Sequence, residues 1–159
     1  MAVREEKFML LAIAAARRGI MAGQTPFGAC IVKNGRVVAC AHNSVWKSTD
    51  STAHAEVNAI RAACRKLESI DLSGCEIYST CEPCPMCFSA IHWAKMKRII
   101  YGAGIADAKK CGFSELGISN ERMKKLGGSH VGILAFVMRE ECRALFYEFM
   151  EVSGKQKVY

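Results

Sequence analysis

Residues 52–57 read TAHAEV and residues 81–87 read CEPCPMC, and these two stretches decide how the chain can be interpreted. His54, Cys84 and Cys87 are three ligands soft enough for zinc, and Glu56 is a carboxylate beside them. Four protein ligands usually close a structural zinc site, whereas three leave a position for water. Zinc lowers the pKa of such a water to about 7, and a neighbouring glutamate can accept its proton. The two stretches therefore predict hydrolytic chemistry at a zinc ion.

The spacing of the ligands also predicts their local structure. His54 and Glu56 are expected to open one helix, and Cys84 and Cys87 a second one. The positive end of each helix favours thiolates over thiols, which lowers cysteine pKa values. Cys84 and Cys87 are three positions apart and so share one helix face, and Pro85 suits a first helical turn. We therefore expect both helix N-termini to point at one metal ion.

Two other kinds of metal site could use the same cysteines. Cys81 could close the zinc site as a fourth ligand, but it precedes the predicted helix and is expected to point elsewhere. The C-x-x-C-x-x-C run also echoes part of a bacterial ferredoxin motif. That motif needs a fourth cysteine and a trailing proline, which are absent here, and it leaves His54 and Glu56 without a role. A structural zinc module and an iron–sulfur protein are therefore the disfavoured alternatives.

Taken together, the stretches resemble the cytidine deaminase-like superfamily, whose signature is H-x-E followed by P-C-x-x-C. Residues 26–29 (PFGA), 46–50 (WKSTD), 112–113 (GF) and the terminal Tyr159 are most similar to small bacterial guanine deaminases and plant guanosine deaminases. The resemblance runs from about Phe8 to about Phe113. It implies a three-layer α/β/α sandwich and one zinc ion per chain, with water or hydroxide as the fourth ligand. It also implies that Glu56 is the catalytic proton shuttle.

The resemblance further implies which residues bind the base. Asn43 stands where the family hydrogen-bonds the base, Phe27 where an aromatic side chain stacks on it, and the backbone N–H of Ala55 is expected to help hold it. Bacterial guanine deaminases carry two aspartates after the Gly-Phe pair, and the second reads the guanine edge. Here the pair is Ser114 and Glu115. Glu115 can accept the same hydrogens but is one methylene longer, so the identity of the substrate stays open.

The C-terminal residues resemble two different tails. In bacterial guanine deaminases the C-terminal segment is exchanged between subunits, and its terminal tyrosine closes the other subunit's site; residues 157–159 (KVY) are similar to that ending. Residues 127–149 instead resemble the unexchanged tail of tRNA adenosine and cytosine deaminases. Both similarities lead us to expect a homodimer, with Tyr159 at the substrate and the exchange left open.

Length and composition set broader limits. The chain has 159 residues, of which 51% are hydrophobic and 23% charged, which is consistent with one deaminase domain over residues 1–159. We recognise no export signal, and the longest apolar run, residues 131–138, is too short to span a bilayer. We therefore expect a cytoplasmic protein whose nine cysteines are reduced and that has no membrane partner. Five of them lie in apolar patterns and are expected to act as small hydrophobic side chains: Cys30, Cys40, Cys64, Cys75 and Cys142.

The net charge of +7 raises the alternative of a nucleic-acid partner. The basic residues are scattered, however, and net charge says more about solubility and steering than about identity. A small nucleobase is therefore the expected partner, and nucleic acid the less favoured one.

Hydrophobic periodicity predicts an α/β protein with a sheet of about five strands. Asn34-Gly35 is a strong signal for a hairpin turn. Residues 106–129 are predicted to be a loop region with short helical turns. Helices are predicted over residues 4–22, 54–67, 84–95 and 139–151, and strands over 27–32, 36–41, 75–79, 98–101 and 131–138. Leu11 is expected on the apolar face of the first helix, and Ile60 and Cys64 are expected to face inward in the second.

These observations predict a zinc-dependent hydrolytic deaminase of a purine base, with conversion of guanine to xanthine and ammonia as the leading reaction. The alternatives that the sequence leaves open are a tRNA adenosine deaminase and a deaminase of cytosine or another small amino-substituted ring. An RNA enzyme must leave room for a flipped nucleotide and its neighbours. A closed pocket would favour the small base.

Overall fold

A computed structural model describes residues 2–153 and 158–159 of the chain. Five strands form a single mixed sheet, and helices cover both of its faces. The helices are α1 (Ala2–Met21), α2 (Val45–Ser48), α3 (Ala55–Leu67), α4 (Pro85–Trp93), α5 (Ile105–Lys110), α6 (Asn120–Gly127) and α7 (Arg139–Ser153). The strands are β1 (Gly28–Lys33), β2 (Arg36–His42), β3 (Cys75–Cys81), β4 (Arg98–Ala103) and β5 (Gly132–Leu134).

The hairpin between β1 and β2 forms where the sequence predicts it. Asn34 and Gly35 have φ values of 51° and 73°, the left-handed conformation that a two-residue hairpin turn needs at both positions. Cys30 lies directly opposite Cys40 in the antiparallel register, with 2.7 Å between the two sulfurs. The first strand also approaches α1 closely, because a Cβ on Gly28 would lie 2.1 Å from the Ala12 carbonyl oxygen.

The order of the strands brings the two motif stretches together. The sheet runs β2-β1-β3-β4-β5, with β1 antiparallel to β3, and with β3, β4 and β5 parallel to one another. The carboxyl ends of β3 and β4 therefore lie side by side at one edge of the sheet. Ligand sites of open α/β sheets form at such an edge.

Two buried clusters make the layers. One lies between the sheet and helices α1 and α7, with Phe8, Ile13 and Phe146 among its members. The other lies between the opposite face and helices α3 and α4, with Ala59 and Ile91 among its members. The predicted three-layer α/β/α sandwich and the count of five strands are thus confirmed.

Several details of the predicted helices are wrong. Leu11 was expected to face inward but is 37% exposed. In α3 the fully buried residues are alanines, whereas Ile60 and Cys64, predicted to face inward, are only partly buried. Small side chains let this helix approach the sheet closely, and the larger ones pack along its flank.

One prediction near the C-terminus is also wrong. The strand expected over residues 131–138 is only three residues long, because Phe136 and Met138 have φ values of 63° and 52° and cannot continue a strand. Residues 106–129, predicted to be a loop region with short helical turns, contain most of α5 and all of α6, joined by a loop. Among the residues described, none belongs to a helix long and apolar enough to cross a membrane.

Candidate active site

The three predicted ligands meet at the N-termini of two helices. His54 is the residue before the first turn of α3, and Cys84 is the residue before the first turn of α4. Cys87 follows in the first turn of α4 and is buried. The Sγ atoms of Cys84 and Cys87 lie 3.7 Å and 3.6 Å from Nδ1 of His54. All three donor atoms lie within 4.8 Å of one another.

These distances fit a zinc ion. In a tetrahedral centre with Zn–S of about 2.3 Å and Zn–N of about 2.0–2.1 Å, a sulfur and a nitrogen ligand are about 3.5 Å apart. The two observed distances between sulfur and nitrogen, 3.6 Å and 3.7 Å, are close to this expected distance. One imidazole and two thiols are also the donor set that zinc prefers.

The two thiols of the ligand group differ in pKa. Hydrogen bonds from Cys87 and His54 lower the pKa of Cys84 to about 4, so this sulfur is a thiolate at neutral pH. The pKa of Cys87 is instead raised, first because its thiol hydrogen-bonds to Cys84 and second because it is buried. Metal binding displaces such a proton, since zinc takes thiolate ligands.

Cys81 does not belong to the ligand group. Its thiol points to the carbonyl oxygen of Gly104, 3.9 Å away. Burial raises its pKa well above the usual range, so it stays a neutral thiol. In the described part of the chain, the ligand cluster around His54 contains Cys84 and Cys87 but not Cys81. The closed four-ligand site is therefore excluded.

Glu56 lies in the first turn of α3, beside the ligands and almost fully buried, at 5% exposure. Its Oε1 accepts a 2.7 Å hydrogen bond from the hydroxyl of Ser79, and its Oε2 lies 3.4 Å from Sγ of Cys87. Burial raises the pKa of the Glu56 carboxyl, and the positive charge of His54 opposes that rise. A carboxyl group held in this way next to a metal site is well placed to move a proton.

A small pocket opens in front of the ligands. Aromatic rings form one wall: Phe27 stacks edge-on against Phe113 at 5.0 Å between ring centroids. Tyr159 closes the other side, 6.3 Å from the ring of His54, and its carbonyl oxygen accepts a hydrogen bond from Ser114. The remaining volume is about 30 Å³, which is room for a water molecule but not for a purine. A base can therefore enter only if a side chain such as Tyr159 moves aside.

Glu115 faces the same pocket, as the resemblance implies. It is half-buried, and burial together with the negative charges of Cys84 and Glu56 raises its pKa to about 7. Its carboxylate can accept hydrogens from a ring bound in this pocket. The extra methylene relative to aspartate does not keep it out of the site.

Asn43 and Ala55 complete the predicted substrate-binding set. The Asn43 side chain is buried, donates a 2.7 Å hydrogen bond to the hydroxyl of Tyr159 and accepts one from the backbone of Val45. A bound base would compete with Tyr159 for the Asn43 amide. Ala55 is the first residue of α3, so its N–H belongs to a helical turn that has no intrahelical acceptor.

Three side chains at the site were missed by the sequence analysis. Ser79 orients Glu56, Phe113 packs on Phe27, and Glu82 lines the pocket. Phe113 could have been found, because its Gly-Phe pair is part of the resemblance. Ser79 and Glu82 carry no local signal: they reach the site because β3 ends there.

Comparison with known proteins agrees with this geometry. Residues 2–103 match the family model described as the cytidine and deoxycytidylate deaminase zinc-binding region. The chain is 46% identical over 120 residues to guanine deaminase of Bacillus subtilis, which covers 75% of this chain and 77% of the relative. It is 32% identical over 154 residues to the tRNA-specific adenosine deaminase of the same organism, which covers 97% of this chain and 93% of the relative.

Among solved structures, the chain is again similar to these two kinds of deaminase. A guanine deaminase from Nitrosomonas europaea superposes with a TM-score of 0.84 at 29% identity, covering 91% of this chain and 83% of that one. A structure from a study of tRNA:A34 deaminases superposes with a TM-score of 0.77 at 32% identity, covering 87% of this chain and 98% of that one.

Proposed function

Because the chain belongs to the cytidine and deoxycytidylate deaminase zinc-binding family, we propose that it hydrolyses guanine to xanthine and ammonia. Membership makes it a zinc-dependent hydrolase that breaks an amidine-type C–N bond. The observation that carries the proposal is the placement of two carboxylates in one pocket. Glu56 lies beside the ligands His54, Cys84 and Cys87, and Glu115 lines the same small space.

When bound by His54, Cys84 and Cys87, zinc supplies a Lewis acid that makes hydroxide available near neutral pH. Glu56 accepts a proton from the attacking water, since its Oε2 lies at the edge of the ligand set. Ser79 holds the other oxygen and so fixes the direction of the carboxylate. Glu56 then delivers protons to a ring nitrogen and to the departing amine. Guanine and water thus give xanthine and ammonia.

The remaining residues hold the ring. Phe27 supplies an aromatic face, Asn43 and the N–H of Ala55 supply hydrogen bonds, and Glu115 accepts hydrogens from the guanine edge. Support for guanine comes from Tyr159, whose ring lies across the mouth of this small pocket, 6.3 Å from the ring of His54. A flipped nucleotide needs space for its backbone and neighbours as well.

A tRNA adenosine deaminase is the second candidate. It is favoured by the similarity to the Bacillus subtilis tRNA-specific enzyme, which extends over 97% of the chain and includes the tail. The net charge of +7 would also assist binding to a polyanion. Under this alternative Tyr159 would have to leave the mouth of the pocket altogether.

We also propose that residues 1–159 form one deaminase domain that assembles as a homodimer in the cytoplasm. The single five-stranded sheet supports one domain, and nine unpaired cysteines are typical of a reducing compartment. Lys157 of the tyrosine-ending motif lies outside the described residues, but Tyr159 occupies the site of its own chain. Exchange of the tail between two copies would place the same residue from a second copy there.

The test is ammonia release by the purified, zinc-loaded protein from guanine, cytosine, adenine and guanosine. We expect the fastest release from guanine, with xanthine as the product. No release from guanine, with turnover of another ring, would contradict the proposal. If none of the four compounds releases ammonia, adenosine in tRNA is the substrate to assay next.

A further inference from the structure

The segment of residues 111–119 carries the part of the pocket that the proposed function assigns to the base edge. It joins α5 to α6 and contributes Phe113 and Glu115 to the pocket. Of these two side chains Phe113 is the well-buried one, because it packs against Phe27 and Phe146. Loops of this kind need fixed ends if their side chains are to hold a substrate in one position.

The starts of the two helices that flank this segment are tied to one buried carboxylate. Glu82 follows β3 directly and is 8% exposed. Its Oε1 accepts a 2.8 Å hydrogen bond from the N–H of Asn120, the first residue of α6. Its Oε2 lies 3.4 Å from the N–H of Ile105, the first residue of α5. One side chain therefore satisfies the starts of the two helices that flank the segment.

A second contact links the same helix to the metal ligands. Asn120 is fully buried, and its Nδ2 donates a 2.5 Å hydrogen bond to the carbonyl oxygen of Pro83. Pro83 is the residue before the ligand Cys84. The start of α6 is thus bonded to two consecutive residues of the stretch that carries the cysteines, and Asn120 is only five positions after Glu115.

From these contacts we infer that Glu82 is a positioning residue for substrate binding: it holds the 111–119 segment, and with it Glu115, at a fixed distance from the metal ligands. The inference rests on the proposed function, because it assigns Glu115 to the base edge. Only a carboxylate offers an acceptor oxygen to each of the two N–H groups, those of Ile105 and Asn120. A glutamine offers one oxygen, and its amide NH2 would face a second N–H and leave it without an acceptor.

Glu82→Gln tests the role, with Glu76→Gln as the matched control. Glu76 is also a buried carboxylate of β3, but it pairs with Arg4 and Arg98 at the other end of the strand. We expect Glu82→Gln to keep its zinc and to raise KM for guanine about tenfold, with kcat within about threefold. Glu76→Gln should leave KM unchanged. Equal KM values for Glu82→Gln and wild type would overturn the inference.

Hydrogen exchange provides a readout that needs no substrate. In Glu82→Gln the amides of Ile105 and Asn120 should exchange faster than in Glu76→Gln, together with residues 111–119. Unchanged protection there would overturn the inference even if wild type proved inactive on guanine, an outcome that would contradict only the proposed function. Should Glu82→Gln not fold, Glu82→Asp keeps the charge, and the same comparisons apply to it.

A double-mutant cycle distinguishes positioning from a general loss of structure. If Glu82 acts through Glu115, then Glu82→Gln should change KM less than about twofold once Glu115→Gln is already present. If the fold-change in KM of the double variant equals the product of the two single fold-changes, Glu82 does not act through Glu115, and the inference is overturned.

Discussion

Two walls of the same pocket are built in different ways. The metal wall consists of residues 54–56 and 79–87, which lie at the end of β3 and in the first turns of α3 and α4. The loop wall consists of residues 111–119 and 158–159, which contain no helix or strand. The residues proposed to carry the chemistry lie on the first wall, and Glu115, proposed to read the base edge, lies on the second. The two walls should therefore respond differently to substitution.

Substitution of the proton shuttle in the metal wall should lower kcat without loss of zinc. Glu56→Gln keeps the shape of the side chain but removes the proton acceptor. General acid–base catalysis contributes about 10²–10⁴-fold, so we expect kcat to fall by about that factor while zinc content stays at one ion per chain. Ammonia release and metal analysis measure the two quantities, and Glu121→Gln on the exposed face of α6 is the control.

Retained activity in Glu56→Gln would move the proton shuttle to another residue. Loss of zinc would show that Glu56 holds the ligands together instead. Either result would remove the functional contrast between the two walls.

Substitution of Glu115 in the loop wall should instead weaken binding of the substrate. Glu115→Gln replaces a carboxylate that accepts two hydrogens by an amide that accepts at one atom, so we expect KM for guanine to rise about 10- to 100-fold with a smaller change in kcat. Glu115→Asp, which restores the charge on the shorter side chain, should bind guanine more tightly than Glu115→Gln. Steady-state kinetics on guanine decide the matter. A drop in kcat alone would assign Glu115 to the chemistry.

The same contrast explains what could be predicted from the sequence. The metal wall carries His54, Glu56, Cys84 and Cys87 at fixed short spacings, and such spacings are visible in a single sequence. The flanking strand and helices are visible too, because their apolar residues recur with a regular period. Ser79 could not be found, because its contact with Glu56 depends on how two separate elements pack.

The region next to the loop wall was harder to predict for physical reasons. Helix α6 has a mostly polar sequence, NERMKKLG, with only two large apolar residues, so it offers few apolar positions from which a period can be recognised. Its start is fixed by Ser119, whose hydroxyl accepts from the Arg122 N–H. The strand expected over residues 131–138 ends early because Phe136 turns out of the sheet, packs on Tyr101 and lies under the Arg139 guanidinium. The contact between Phe136 and Tyr101 is long-range and leaves no local pattern.

The support behind the loop wall should be sensitive to acid. Asp107 of α5 is buried, accepts from the N–H of Gly104 and pairs with Arg139 and Arg143 of α7. The Arg139 and Gly104 hydrogen bonds outweigh its burial and hold the pKa of Asp107 below its ordinary value of 3.8. Its folded-state pKa is lowered, so the stabilisation is present above pH 3.8 and is lost as pH falls through the folded-state value.

Asp107→Asn should therefore lower Tm by a few degrees at pH 7, corresponding to about 1–2 kcal/mol. The difference from wild type should shrink below about pH 3.8 as the native carboxyl becomes protonated. Thermal unfolding at several pH values measures this, with Glu121→Gln on the exposed face of α6 as the control. A difference that is constant with pH would show that the ion pairs do not contribute.

The smallest effect is expected at the end of the chain. Tyr159→Phe removes one hydroxyl, and with it the 2.7 Å hydrogen bond from the Asn43 amide. The ring still covers His54, so the mouth of the pocket stays closed, but the Asn43 amide no longer has to leave Tyr159 when a base binds. Only this one hydrogen bond is lost while the ring stays in place, so KM for guanine should change by only about two- to threefold. Removing Tyr159 entirely takes away the ring as well, and it should raise KM further while leaving zinc content unchanged. If Tyr159→Phe instead reduced kcat as strongly as Glu56→Gln, the tyrosine hydroxyl would take part in proton transfer, and the loop wall would carry chemistry as well as selection.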